Sequence, residues 1–217
     1  MGTTEILDIY NGQGQLVGSK ERDLVHKDGD WHKTFHCWII FRDSLNTDYV
    51  VLQKRSDNKK SWPGYVDISA AGHITSGEKV EDGLRELEEE LGVVIDFKNL
   101  INAGIRVCIE DFKVGTSNHE FQHVFFLIDN RELNKYKIQG EELSGILIAK
   151  IDDLLGLFSK EIDSVNSQGF IVSNQNNIIQ TEYLITRDKF IPTLDNYYYK
   201  VMILAKRILN NEKHIHI

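Results

Sequence analysis

The stretch from Gly72 to Val93, GHITSGEKVEDGLRELEEELGV, constrains this chain more than any other. It starts as a glycine-bearing loop and ends as a helix dense in carboxylates. Residues three and four apart share a helix face. Glu86, Glu89 and Glu90 are therefore expected on one side, with Leu84, Leu87 and Leu91 on the other, against a core. Like charges on one face repel by roughly 0.2–0.5 kcal/mol per pair. That conflict is relieved where a divalent cation sits between them. The pattern predicts a helix from about Val80 to Leu91, closed by Gly92 at the C′ position, where glycine accepts a left-handed backbone.

The rest of the chain reads as strands around that helix. Glu5 to Tyr10 and Gln15 to Ser19 flank NGQG, a hairpin signal. A polar segment, Lys20 to Asp30, has room for one helical turn. Trp31 to Phe41 and Tyr49 to Arg55 read as strands, followed by the loop SDNKKSWPGY with its Pro63-Gly64 turn marker. Val66 to Ser69, Leu100 to Val114, His119 to Ile128 and Leu143 to Lys150 are further strands, with a turn at Gly115 to Asn118. Ile151 to Phe158 is a short helix. Ser159 to Asn177 is polar and is expected as a surface excursion. Pro192 to Asn210 is a second long helix whose stripe of Leu194, Tyr197, Tyr198, Val201, Leu204, Ala205 and Ile208 is expected to pack on the sheet.

Composition limits the function. At 217 residues with 41% hydrophobic and 27% charged side chains, the chain is ordinary for one large globular domain. A net charge of −8 without a long basic run argues against a nucleic-acid polymer or an anionic membrane as partner. No apolar run is long enough to span a bilayer, and the N-terminus lacks a signal-peptide pattern. A cytoplasmic protein is expected, with Cys37 and Cys108 as buried, reduced thiols.

The chemistry follows from the carboxylates. Magnesium is held by one or two carboxylates together with substrate phosphates and waters. Glu86, Glu89 and Glu90 supply such ligands from a rigid element, and the backbone at Gly72 can approach closely because glycine lacks Cβ. Glu78 falls near the helix start, and Arg85 can pair with it to fix loop against helix. Trp62 and Tyr65 can place aromatic surface beside a substrate, since aromatics stack on bases; simple turn chemistry at WPGY is the plainer alternative. Lys54 and Arg55, at a strand end, can meet phosphate; solvated strand-end charges are the plainer alternative. For the acidic run alone, a solvated helix is the plainer alternative too. The combination points to metal-assisted attack of water on a phosphoanhydride.

Gly72, Glu78, Arg85, Glu86, Leu87, Glu89, Glu90, Gly92 and Val93 resemble the signature of the Nudix hydrolases: Gly, five residues, Glu, seven residues, then Arg-Glu-aliphatic-x-Glu-Glu-x-Gly-aliphatic. One departure is present, since six residues rather than seven separate Glu78 from Arg85; a shortened turn is expected there. TFHCWIIF, VVLQKRS and SWPGYVDISAAGH further resemble the isopentenyl-diphosphate isomerase branch of that superfamily, over roughly Val25 to Asp129. The resemblance implies an α/β/α sandwich with a mixed sheet. It implies one domain over 1–217, with an N-terminal hairpin extension at 1–30, a Nudix core at 31–160 and a C-terminal extension with a helix at 161–217.

The resemblance also assigns site residues. His32 and His73 occupy positions like metal-ligand histidines of the isomerases, with His73 also a candidate for substrate contact. Glu120 resembles their acidic catalytic residue. Glu141 or Glu142 lies where some members carry an additional carboxylate. The isomerases have a cysteine directly before Gly-His, whereas this chain has Ala71, and its carboxylate box is intact. The expected activity is thus Mg2+-dependent hydrolysis, with Mn2+ able to substitute, of a small-molecule diphosphate: a nucleoside diphosphate linked to another moiety. Glu86, Glu89, Glu90 and Gly72 would hold metal, Glu89 or Glu120 would take a proton, and Arg85 would orient the carboxylates. Hydrolysis of an isoprenoid diphosphate and a non-catalytic ligand sensor are the alternatives. A homodimer through the terminal extensions stays open.

Overall fold

The computed structural model describes residues 5–113, 116–172 and 178–217. The hairpin signal yields β1 (Ile6–Tyr10) and β2 (Leu16–Glu21), joined through a turn in which the Asn11 side-chain oxygen accepts the backbone N–H groups of Gln13 and Gln15. A two-turn helix, α1 (Arg22–Asp28), fills the polar segment and ends on Gly29 at φ 71°. Next come β3 (Trp31–Arg42), β4 (Asp48–Arg55), β5 (Val66–Asp67) and β6 (Ala70–His73). The box helix is α2 (Arg85–Leu91), entered through a 3₁₀ turn at Val80–Leu84. Then follow β7 (Ile101–Lys113), β8 (Thr116–Ile128), β9 (Leu143–Lys150), α3 (Ile151–Phe158), β10 (Ser164–Val172), β11 (Ile178–Thr186) and α4 (Tyr197–Leu209).

The described strands form one mixed sheet. Its main path runs β11-β10-β9-β4-β3-β1-β2, with β8 lying parallel to β3 and β7 antiparallel to β8. The centre of β3 is buried on both faces, which explains the nearly unbroken apolar run of its sequence. Phe35, Cys37 and Ile39 face α2, where they meet Leu87 and Leu91. Trp38 and Ile40 face the other way, toward α3 and α4, where they meet Leu154, Val201 and Ala205. Helices on both faces of a mixed sheet make the expected α/β/α sandwich.

Four expectations change. The helix expected over Val80 to Leu91 is half 3₁₀. A 3₁₀ segment turns about 120° and rises about 2.0 Å per residue, against about 100° and 1.5 Å in an α-helix. Five 3₁₀ residues thus sweep about the angle of six α-helical ones and rise slightly further. The missing residue between Glu78 and Arg85 is absorbed by tighter winding, with Gly83 allowing it: a Cβ there would lie 2.6 Å from the Phe35 ring. The Ser159 to Asn177 stretch is not a surface excursion over its described part, because β10 pairs with both β9 and β11; residues 173–177 lie outside the described residues. The turn expected at Gly115 to Asn118 falls partly on Gly115, which also lies outside them, while Thr116 to Asn118 belong to β8. Helix α4 starts at Tyr197, and Leu194 stands outside it at 77% exposure rather than in its stripe. The remainder of that stripe is buried against the sheet and α3, as expected.

Candidate active site

Helix α2 lies against the end of β6, and two of its carboxylates turn inward there. Glu86 and Glu90 are buried, 8% and 6% exposed. The Ala71 N–H donates to Glu90 Oε2 at 3.3 Å. Gly72 lies directly over Glu86, where a Cβ would stand 2.0 Å from the carboxyl carbon. Only glycine fits. Burial pushes the Glu86 carboxyl up to about 7, although Arg85 opposes the rise. Burial, followed by the neighbouring Glu86 charge, raises Glu90 well above the ordinary carboxylate range. Two buried acids that repel each other lack enough positive charge from this chain alone.

Arg85 organises the approach to them. Its Nε donates to Glu78 Oε1 at 3.0 Å, its Nη2 to the His73 carbonyl at 2.8 Å, and its Nη1 to Glu86. Glu78 in turn accepts the Thr75 N–H at 2.7 Å. Loop and helix are clamped by one guanidinium, as the sequence suggested, and Glu78 keeps that role despite the short spacing. Glu89 parts from its neighbours: its side chain is 56% exposed and lies 3.4 Å from Arg85 Nη1. The three glutamates therefore do not share one inward face. A seven-residue helix presents Glu86 and Glu90 to β6, and the angle between positions 86 and 89 leaves Glu89 at the rim.

A second cluster adjoins the first across β6. His73 on β6, His32 on β3 and His26 on α1 bring ring nitrogens within 4.8 Å of one another. His26 Nε2 stands 3.3 Å from His73 Nε2. His32 is fully buried; its Nδ1 meets the Asp30 carbonyl at 3.0 Å, while its Nε2 has no hydrogen-bond partner and lies 3.6 Å from Glu120 Oε1. The parallel register of β3 and β8 sets Glu120 opposite His32. Burial favours the neutral form of Glu120, but the adjoining His32 imidazole outweighs it and holds the carboxyl well below the usual range. An unpartnered, buried imidazole nitrogen beside an ionised carboxylate fits a cation as the missing partner. His26 escaped the sequence reading, as did Glu5, whose Oε1 lies 3.5 Å from His73 Nδ1. Both come from the N-terminal segment, and no local motif marks them.

The remaining candidates are more dispersed. Arg55 donates to Asp67 Oδ2 at 3.1 Å and to the carbonyls of Ser61 and Trp62. It braces the loop before β5. Lys54 Nζ donates to Ser144 on β9. Trp62 and Tyr65 meet edge to face with centroids 5.1 Å apart. Glu142 is paired with Lys59, and Glu141 is exposed. Asp67, which sequence reading did not single out, is buried beside Arg55; burial raises its carboxyl and Arg55 opposes the rise.

The sequence matches the NUDIX domain family over residues 30–166, more than half of the chain. The chain belongs to the Nudix family. An uncharacterized Nudix hydrolase of Clostridium acetobutylicum is 38% identical over 202 residues, covering 93% of this chain and 96% of that one. An isopentenyl-diphosphate Delta-isomerase of Paenarthrobacter aurescens is 36% identical over 95 residues, covering 43% of this chain and 50% of that one. Among solved structures, a Deinococcus radiodurans protein superposes with a TM-score of 0.55 at 23% identity, covering 72% of this chain and 90% of that one. That likeness concerns the fold. Nudix hydrolases generally use divalent metals, and the buried Glu86–Glu90 pair under Gly72 is a donor set of hard oxygen atoms that suits one. Among the described helices none is long and apolar enough to cross a membrane.

Proposed function

We propose that this Nudix protein is a Mg2+-dependent pyrophosphohydrolase that cleaves the phosphoanhydride of a nucleoside diphosphate linked to another moiety. The observation that carries this reading is the buried Glu86–Glu90 pair, whose protonation is favoured until a cation offsets it. Glu86 and Glu90, with the backbone at Gly72, would hold magnesium, which when bound neutralises charge on the diphosphate and acidifies water. Arg85 holds Glu86 in place through its links to Glu78 and the His73 carbonyl. Glu120, held ionised beside His32, is the residue proposed to take the proton from the attacking water. Glu89 at the rim is the alternative acceptor. Ala71, at the position where the isomerases carry their cysteine, has no proton to give, and this favours hydrolysis over isomerisation.

The test is a phosphate-release screen across nucleoside-diphosphate-linked compounds and isoprenoid diphosphates, with magnesium, manganese or chelator. Turnover of a nucleoside-diphosphate-linked compound that vanishes with chelator is expected. Full magnesium-dependent activity in Glu90→Gln would overturn the carboxylate assignment. Conversion of isopentenyl to dimethylallyl diphosphate by the purified protein would overturn the choice of hydrolysis.

A further inference from the structure

Glu120 ends a line of buried hydrogen bonds that starts just ahead of α4. Asp195, two residues before that helix, takes the guanidinium of Arg106 in a bidentate pair: Nε donates to Oδ2 at 3.0 Å and Nη2 to Oδ1 at 2.7 Å. Arg106 Nη1 donates to Gln122 Oε1 at 2.6 Å, and Gln122 Nε2 donates to Glu120 Oε2. The sheet sets this line. Arg106 on β7 stands opposite Gln122 on β8, and Gln122 shares a face with Glu120, two residues before it on the same strand. Arg106, Gln122 and Glu120 are all buried. The ring of Tyr197, in the first turn of α4, covers the guanidinium at 4.2 Å.

A pair that served only to dock α4 would end at Arg106. The bidentate bond and the Tyr197 ring already fix the guanidinium. Its third bond leads away from α4 to an amide, and the amide leads to a carboxylate. The orientation of that amide follows from its partners. A guanidinium has only donors and an ionised carboxylate only acceptors, so the oxygen faces Arg106 and the nitrogen faces Glu120. Gln122 is thus a dipole aligned between a cation and an anion, and burial strengthens both bonds. On the other carboxylate oxygen, Oε1, Glu120 accepts Asn118 Nδ2 at 2.9 Å and faces His32 Nε2 at 3.6 Å. On Oε2 the Thr34 hydroxyl is distant, at 3.5 Å, and Gln122 is the close donor. One close donor on each oxygen fixes the plane of the carboxylate, which is what a proton acceptor must present to water.

We infer that Gln122 and Arg106 are positioning residues for Glu120, anchored by Asp195, so that the C-terminal extension takes part in the candidate active site besides covering the sheet. The inference rests on the reading of Glu120 as proton acceptor in the hydrolase proposed above.

The test is a double-mutant cycle on the full protein with Gln122→Leu and Asp195→Asn. It is read as kcat and KM on a compound that the phosphate-release screen finds turned over with magnesium. It is also read as the Gln122 side-chain amide resonance in 15N spectra, which needs no turnover. Gln122→Leu is expected to lower kcat about tenfold to a hundredfold, up to the scale of a group misplaced by about 1 Å, with KM within about twofold. Asp195→Asn is expected to lower kcat about threefold or more in the parent and to have no further effect in Gln122→Leu, where the link is already cut. It is also expected to shift the Gln122 amide resonance. Lys206→Ala removes a separate tie, between α4 and Asp152 of α3, and is expected to leave both kcat and that resonance as in the parent. Three results would overturn the assignment: parent-like kcat and resonance in Asp195→Asn, losses that multiply in the double variant, or an equal loss in Lys206→Ala. If Gln122→Leu does not fold by circular dichroism, Asp195→Asn against Lys206→Ala decides. Absence of phosphate release by the parent overturns the hydrolase reading instead, and the resonance then decides the positioning by itself.

Discussion

Gly72 and Glu86 occupy the same space up to one methyl group, and this fixes what substitution can do. In Gly72→Ala the new Cβ must displace the Glu86 carboxylate, because the backbone of β6 is held by β3 in the register Phe35 to Gly72. Loss of stability of about 1–3 kcal/mol is expected, the range for overpacking, together with weakened divalent-cation binding. Calorimetry with Mn2+ and thermal unfolding check both halves. Glu90→Gln separates stability from activity. A buried carboxylate whose protonation is favoured destabilises the metal-free fold at pH 8, so the amide should raise the midpoint in chelator by the equivalent of about 1–3 kcal/mol. Turnover should fall by about two to three orders of magnitude, the scale for removing one group that stabilises transition-state charge. A variant that is less stable in chelator would show that Glu90 is already satisfied by the chain. At this scale the sequence was legible where a motif fixes both residue type and spacing, as for Gly72, Arg85, Glu86 and Glu90. It misled at Glu89, because the motif does not say which carboxylate of a short helix faces the sheet.

Elements were legible in proportion to how local their signals are. The NGQG hairpin, the double-sided run of β3 and the glycine that ends α2 each follow from neighbours in sequence, and each is where it was expected. β10 and β11 were not, since their pattern is half-exposed and polar and their place depends on pairing with β9 at the sheet's end. The 3₁₀ entry to α2 lies between these cases. A shortened turn followed from the spacing; its 3₁₀ character did not. Compensation by tighter winding has a consequence for this element. Inserting one alanine after Lys79 restores seven residues between Glu78 and Arg85, and the segment can then relax to an α-helix without rotating Arg85 away from Glu78. Turnover is expected to stay within about tenfold of the parent, a barrier change near 1.4 kcal/mol. An insertion that abolishes metal-dependent turnover in a folded protein would mean that 3₁₀ winding serves something other than compensation.

At the scale of the whole molecule, the site is assembled from segments far apart in the chain. The N-terminal hairpin holds the box loop: Ser76 N–H donates to the Ile6 carbonyl at 2.8 Å, Leu7 is fully buried, and the same segment delivers Glu5 and His26 to His73. Sequence separation of this order leaves no local trace, which is why those two residues were missed. The buried titratable groups then tie stability to metal and pH. Without metal, Glu86 holds its proton up to about pH 7 in the folded chain, against an ordinary 4.5. The folded state binds more protons than the unfolded one between these values, so this group's contribution falls as pH rises through that window and is lowest above it. Burial holds His36 and His123 down to about 4 against 6.5. For them the unfolded state binds more protons, so their contribution rises with pH between about 4 and 6.5. The two trends oppose each other below pH 6.5, and only the carboxylate trend remains above it. A cation on Glu86 and Glu90 removes that trend, because a ligated carboxylate stays ionised and binding displaces the proton. Burial also pushes the Glu110 carboxyl up to about 7, which adds the same fall with or without metal, so between pH 6.5 and 8 the thermal midpoint should fall more steeply in chelator than in saturating Mg2+. The gap between the two curves should widen with pH across that interval. Thermal unfolding with and without chelator measures it, and a gap that is constant from pH 5 to 8 would mean that the cation does not bind where Glu86 and Glu90 lose their protons.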